Sequence, residues 1–381
     1  MPRLLIISLA ASALLVGNPI FAQTSLESTI ASSDALIASS EYGDSYSVIM
    51  SALRDNPSAA EREVLVEQLD TIKEATPYYI NLDVSSTFHT GTRQGLWEDQ
   101  LNWFGVPHFI DETLSVKEAE ASLINSAQAV FGYDFNISPD LQVTLGSDAQ
   151  IYFYEETTFM EAWVGEVFAE VDLNLGPILS NTKVGYGLSS KSREKVDFNP
   201  NVPRVPGSYN FFGEQDLGYK FAKDQVLGFE VTYRTGDETG NVDFPGTAFE
   251  HATVEAYYDA TWADTLGTRV YGFGQAVVSD PDYVGFLALG AGVEMELELP
   301  VGFHLGGDIE YRTQSGYAPF PDRTADRDID TMTGSLEIKN DHYTLGGFEP
   351  YLSAAFWDSS ATYSEYTRSD LAFGAGIRLG F

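Results

Sequence analysis

The chain has 381 residues, with 56 Asp and Glu against 21 Lys and Arg and a formal net charge of −35. No basic patch is available to neutralise phosphates, which argues against a nucleic-acid partner. It has no cysteine, so disulfides are excluded, and no apolar run reaches the roughly 18 residues of a membrane helix.

The first segment, "MPRLLIISLAASALLVGNPIFAQT", places Arg3 before an apolar core from Leu4 to Val16. The Ile20-Phe21-Ala22 end then reads as a cleavage site, so residues 1–22 are expected to be a secretion signal. Residues 23–76 carry helical spacing. Val48, Ile49, Ala52 and Leu53 form one face, and Val64, Leu65, Leu69 and Ile72 form another after the Asn56-Pro57-Ser58 break. This predicts a helical hairpin, with room for a third short helix.

After Pro77 the period changes from 3.6 to 2. "YYINLDVSSTF" alternates Ile80, Leu82 and Val84 with Asn81, Asp83 and Ser85. "LQVTLGSDAQIYFYEE" and "EAWVGEVFAEVDLNL" alternate in the same way, with ionisable side chains on one face. That face is the solvent side of a sandwich or the wet lumen of a barrel. The turns choose between them, because tight connections such as "GPI" and "AKDQ" alternate with long ones such as "KSREKVDFNPNVPRVPG" and "TGDETGNVDFPG". Such alternation belongs to membrane barrels. Fourteen strands are expected between residues 78 and 381. The fold class is therefore all-β: a closed, up-and-down, antiparallel transmembrane β-barrel at 77–381, preceded by a short α-helical segment.

The last strand, "RSDLAFGAGIRLGF", places Leu371, Phe373, Ala375, Ile377, Leu379 and Phe381 on one face. Phe373, Ile377, Leu379 and Phe381 read as the signal through which barrel-assembly machinery would take up the strand, with lipid of a Gram-negative outer membrane as the other partner. Alternation points Asp148, Glu166, Glu170, Asp172, Glu230, Arg234, Asp308, Glu310, Arg312, Arg368, Asp370 and Arg378 into the lumen. An open pore of this composition would prefer cations. Cross-strand ion pairs bracing the wall are the alternative, with Asp370 and Arg378 as one pair. Trp163, Tyr152, Tyr154, Tyr233, Tyr257, Tyr258, Trp262, Tyr311, Phe348, Phe356, Trp357 and Phe381 are expected in two interfacial girdles.

Enzymatic signals are sparse. His89, His108, His251, His304 and His342 form no H-x-x-x-H pair, and no G-x-S-x-G elbow occurs. Asp341 beside His342 is the one tempting pair, in a short turn. No catalytic residue, metal ligand or cofactor is expected.

A resemblance also emerges from these pieces. The signal, the helical stretch and the terminal aromatic combine with "GYAPFPDRTADRDIDTMTGSLEIKNDHYTLGGFEPYLSAAFWDSSATYSEYTRSDLAFGAGIRLGF" and with "WFGVPHFI" followed by "ISPDLQVTLGSDAQIYFYEETTF". Together they resemble the surface lipoprotein assembly modifiers, outer-membrane barrels with a tetratricopeptide-type helical region. Ala35, Leu36, Tyr42-Gly43-Asp44, Leu53 and Pro57 fall near the expected places of one such repeat. The resemblance implies a lipoprotein client, a fourteen-strand barrel and no enzymatic activity. Alternatives are a passive channel for small, preferably cationic solutes, and a surface protein whose acidic loops bind calcium or envelope components.

Overall fold

The change of period at Pro77 divides the molecule. In the computed structural model, Met1–Thr76 and Pro77–Phe381 separate into two units. The described residues are 26–39, 42–54, 59–92, 120–138, 140–154, 162–191, 208–238, 247–262, 265–280, 285–318, 328–340, 348–362 and 367–380. The expected signal, "WFGVPHFI", the Asp341–His342 pair, the side chain of Arg368 and Phe381 lie outside them.

The first unit has three helices, α1 (Leu26–Ala38), α2 (Tyr42–Arg54) and α3 (Ala59–Ala75). The helix added to the expected hairpin, α1, is thus as long as α2 rather than a short addition. Ile49, Leu53, Leu65 and Ile72 are buried as an apolar core, whereas Val64 is 40% exposed. Gln68 takes the inward place that the spacing gave to Val64. The buried stripe runs Leu65, Gln68, Ile72, one residue round from the expected face. Gln68 donates to Ser33 at 3.0 Å and Asp34 at 2.7 Å, and the Ser33 and Ser45 hydroxyls meet at 2.8 Å. A buried amide is tolerated here because its donors are satisfied.

The second unit is a closed barrel of fourteen antiparallel strands, each beside its sequence neighbours, with β1 (Tyr78–Thr92) joined to β14 (Arg368–Gly380). Between them run β2 (Glu120–Ser138), β3 (Leu141–Tyr154), β4 (Ala162–Leu175), β5 (Ile178–Lys191), β6 (Ser208–Ala222) and β7 (Gln225–Glu238). They are followed by β8 (Thr247–Trp262), β9 (Leu266–Asp280), β10 (Phe286–Leu299), β11 (Phe303–Gly316), β12 (Asp328–Asn340) and β13 (Glu349–Ala361). The fourteen expected strands and the closure are all present. One end carries the turns β2–β3, β4–β5, β6–β7, β8–β9 and β10–β11, none spanning more than a few residues, together with the longer β12–β13 connection. The other carries β1–β2, β3–β4, β5–β6, β7–β8, β9–β10, β11–β12 and β13–β14, of which only β9–β10 and β13–β14 are shorter than β3–β4.

Two turn residues show why the short end is tight. Gly176, at φ 66°, opens the connection before Pro177, as a two-residue hairpin with glycine first requires. Gly302 likewise has φ 72° after Pro300. Following the register once around the sheet returns to β1 displaced by about 18 residues, which inclines the strands by about 45° and gives a cylinder about 30 Å across.

Alternation sorts the side chains. Outward positions of β4 are Trp163, Gly165, Val167, Ala169, Val171, Leu173 and Leu175; those of β10 run from Leu287 to Leu299, also apolar throughout. Val167 is 58% exposed and Leu289 67%, so this belt faces out rather than into a core. At 3.3 Å per residue and that tilt it is about 28 Å tall. Every described strand Lys and Arg side chain lies on the opposite, inward face.

Candidate functional site: the acidic lumen

Inward faces are built from two residue classes that fit each other across strands. Aromatic rings lie over glycines of the next strand: Phe168 over Gly146, Phe212 over Gly185, Tyr257 over Gly228 and Tyr351 over Gly376. A methyl at Gly185 would stand 2.3 Å from the Phe212 ring, so the glycine is what lets the ring lie flat along the wall. Ring cover of a strand glycine restores the packing that glycine lacks.

Each ring then carries a cation. Arg234 sits 4.6 Å over Phe212, Arg269 3.9 Å over Tyr257, Arg378 4.8 Å over Tyr351, and the Lys183 ammonium 4.4 Å over Phe168. The rings hold the cations flat, which suits the planar guanidinium. Carboxylates complete each stack. Arg234 donates to Glu166 at 2.8 Å and Glu214 at 3.1 Å. Arg269 donates to Glu255 at 2.7 Å and lies 3.8 Å from Asp259 and 3.9 Å from Glu230. Arg378 donates to Asp83 at 3.0 Å and to both oxygens of Glu337 at 3.2 and 3.3 Å. Glu166 on β4 and Arg234 on β7 are three strands apart, a separation bridged only on the concave face.

The remaining expected lumen residues are placed as follows. Asp148 accepts from Gln128 at 2.9 Å, Glu170 and Asp172 both accept from Asn181, and Glu230 accepts from Thr232 at 3.2 Å. Asp308 accepts from Ser335, and Glu310 from the Tyr271 hydroxyl at 2.9 Å. Arg312 faces Gly290 and Thr331 across its two ladders. The expected Asp370–Arg378 pair does not form. Both lie on β14, eight residues apart, so one is near each end of the strand; Asp370 meets His89 at 2.9 Å instead. Tyr152, Tyr257 and Trp357 leave the expected girdles for the inward face, while Trp163, Tyr233, Trp262 and Tyr311 are outward, 44–51% exposed.

The sequence reading passed over Glu294, Glu296 and Glu298, although the signal was present in "VEMELEL". They are exposed on the inward face of β10, beside an interior cavity of 810 Å³ at the short-turn end whose walls include Asp259, Glu294, Glu296, Asp308 and Glu337. Glu296 faces Gly267 and Gly306, so no side chain stands beside it in either ladder. Carboxylates outnumber Lys and Arg by more than two to one on the described inward faces. Toward the long connections the lumen changes character: Phe249, Val277, Phe286, Ala288, Ile329 and Trp357 are buried there. Among the described residues no group of three or more His, Asp or Glu is placed to hold a metal ion.

No protein-family model matches the chain, and no curated protein matches it in sequence. Solved structures resemble it in outline. The chain is similar to CdiB from Acinetobacter baumannii (TM-score 0.43, 9% identity, 80% of this chain and 60% of that one). It is also similar to the deltaS2 mutant of the monoaromatic hydrocarbon channel TodX (0.40, 10%, 80% and 90%). A third is OmpT, an outer membrane protein of Vibrio cholerae, in its trimer form (0.40, 10%, 80% and 98%). At such identities nothing about ligand, partner or activity is taken from them.

Proposed function

We propose that this protein is an integral, non-enzymatic outer-membrane barrel whose acidic lumen admits positively charged cargo in preference to anions. The observation that carries this reading is the sorting of side chains. An apolar belt about 28 Å tall, against a band of about 25 Å in outer-membrane barrels, encloses a wall whose charge is mostly carboxylate. Polar outward groups within the belt, such as Gln215, Thr182 and Ser180, bond to one another. Lys183, Arg234, Arg269 and Arg378 are engaged in the ring stacks. The carboxylates of the cavity, Glu294 and Glu296 of β10 among them, outnumber the Lys220, Lys223 and Arg269 that share its wall, so they set the potential at the short-turn mouth. Rings of acidic side chains select cations by that means. Reconstituted in a planar bilayer, the protein is expected to conduct with a several-fold preference for K⁺ over Cl⁻. The triple variant Glu294→Gln, Glu296→Gln, Glu298→Gln should lower that ratio at least two-fold. Anion preference or absence of conductance overturns the reading.

A second reading follows the sequence resemblance: an assembly modifier that helps a lipoprotein client reach the surface. The separate helical unit at Met1–Thr76 favours it, because a passive channel needs no such unit. Deleting residues 23–76 while keeping the barrel separates the two. Lost surface exposure of a client with unchanged conductance supports the modifier; unchanged exposure removes it.

A further inference from the structure

We propose that the cylinder opens at the joint between β1 and β14, and that two side-chain clasps hold that joint shut. The proposal rests on the barrel and not on the identity of any cargo.

Among the described residues its facing pairs run from Asn81–Gly380 to His89–Ala372, nine in all. The other thirteen joints hold eleven to fifteen, the longest being β8–β9. Ladder hydrogen bonds are what hold adjacent strands together, so the shortest ladder is the weakest line in the wall. The ring-on-glycine cover also skips this joint. Tyr79 of β1 covers Gly132 of β2, and Gly376 of β14 is covered by Tyr351 of β13. Across the joint itself Gly374, Gly376 and Gly380 face Thr87, Ser85 and Asn81, which are small and polar.

What crosses the joint on its inner side is electrostatic. At the short-turn end Asp83 accepts from Arg378 at 3.0 Å and from the Tyr351 hydroxyl of β13 at 2.7 Å. At the other end Asp370 meets His89 at 2.9 Å and accepts from Thr90 at 3.1 Å. The ladder stops at His89–Ala372, and there the Thr90 hydroxyl accepts the Leu371 amide at 3.0 Å. A side chain thus stands in for the missing backbone carbonyl. Arg378 is shared with Glu337 of β12, on the far side of the joint from β1. Release of Asp83 therefore leaves the guanidinium paired, which lowers the cost of opening relative to breaking an isolated pair.

The test is hydrogen–deuterium exchange, read by mass spectrometry, on the full-length protein in detergent. Amides of residues 81–89 and 374–380 are expected to exchange at least ten-fold faster than those in the middle of β8 and β9. Thr90→Val should accelerate exchange further in β1 and β14 while leaving β8 and β9 unchanged. Ser86 faces Ala375 across the joint, and the chain has no native thiol. Oxidation of the Ser86→Cys/Ala375→Cys pair should therefore slow these amides, and reduction should restore their rate. Protection in β1 and β14 equal to that of β8 and β9, or a cross-link without local effect, overturns the proposal.

Discussion

At Arg234 the charge of the lumen and the packing of its wall meet in one side chain. Its guanidinium joins Glu166, whose side chain is 4% exposed, and Glu214, 25% exposed, over the face of Phe212. Burying either charge without the other would be costly, whereas removing both at once leaves only the part-exposed Glu214, which keeps Lys183 at 4.0 Å. Arg234→Leu is therefore expected to destabilise the barrel by about 3 kcal/mol, and Arg234→Leu/Glu166→Leu to recover most of that loss. Urea unfolding in detergent, followed by tryptophan fluorescence, measures both. Additive losses in the double variant would show that the pair is not the unit that matters. The inward parity of Glu166 and Arg234 was legible in the sequence, because each alternates with apolar neighbours on its own strand. Their meeting was not, since 68 residues separate them and only the register of four strands brings them together.

Elements of this chain declare themselves through period and punctuation. The strand β10 reads from Leu287 to Leu299 by alternation alone, and the β4–β5 hairpin from the Gly176-Pro177 pair. That turn makes a test at its own scale. Gly176 has φ 66° and a Cβ there would meet nothing within 4 Å, so any cost of Gly176→Ala is conformational. A loss of about 1–2 kcal/mol is expected, the typical penalty for an L-residue held in the left-handed region. Equilibrium unfolding measures it; an unchanged midpoint would mean that the turn relaxes to another type. In the helical unit the spacing found Ile49, Leu53, Leu65 and Ile72 but put Val64 inside in place of Gln68. Hydropathy cannot see that Gln68 finds Ser33 and Asp34, because those partners sit 35 and 34 residues away on α1.

Taken whole, the barrel has its greasy side outward, the inverse of a soluble sheet protein. Outward Leu289 at 67% exposure and Leu352 at 60% require lipid or detergent around them. Purified protein is expected to precipitate when detergent is removed, and an unboiled sample to run on a denaturing gel at a different position from a boiled one. Full solubility in plain buffer, or identical migration, would refute the membrane reading. The girdle assignments show where whole-molecule reasoning from sequence overreached. Tyr257 and Trp357 were given to the lipid interface by residue type, yet Tyr257 caps Gly228, carries Arg269 and donates to Asp216 at 2.6 Å. Tyrosine satisfies both a lipid interface and a polar lumen, so type alone cannot choose; strand parity does.

By itself the sequence determined the local and the periodic: where helix gives way to strand, which side chains share a face, where the chain turns tightly, and that fourteen strands must close to leave no edge. These follow from backbone geometry and hydropathy within a few residues, so they need no knowledge of neighbours. Tertiary structure alone decided which carboxylate each arginine takes, which ring covers which glycine, and that the β1–β14 joint has the shortest ladder among the described residues. Those outcomes depend on inter-strand register, a sum of small preferences accumulated around the whole cylinder, and no single segment carries it.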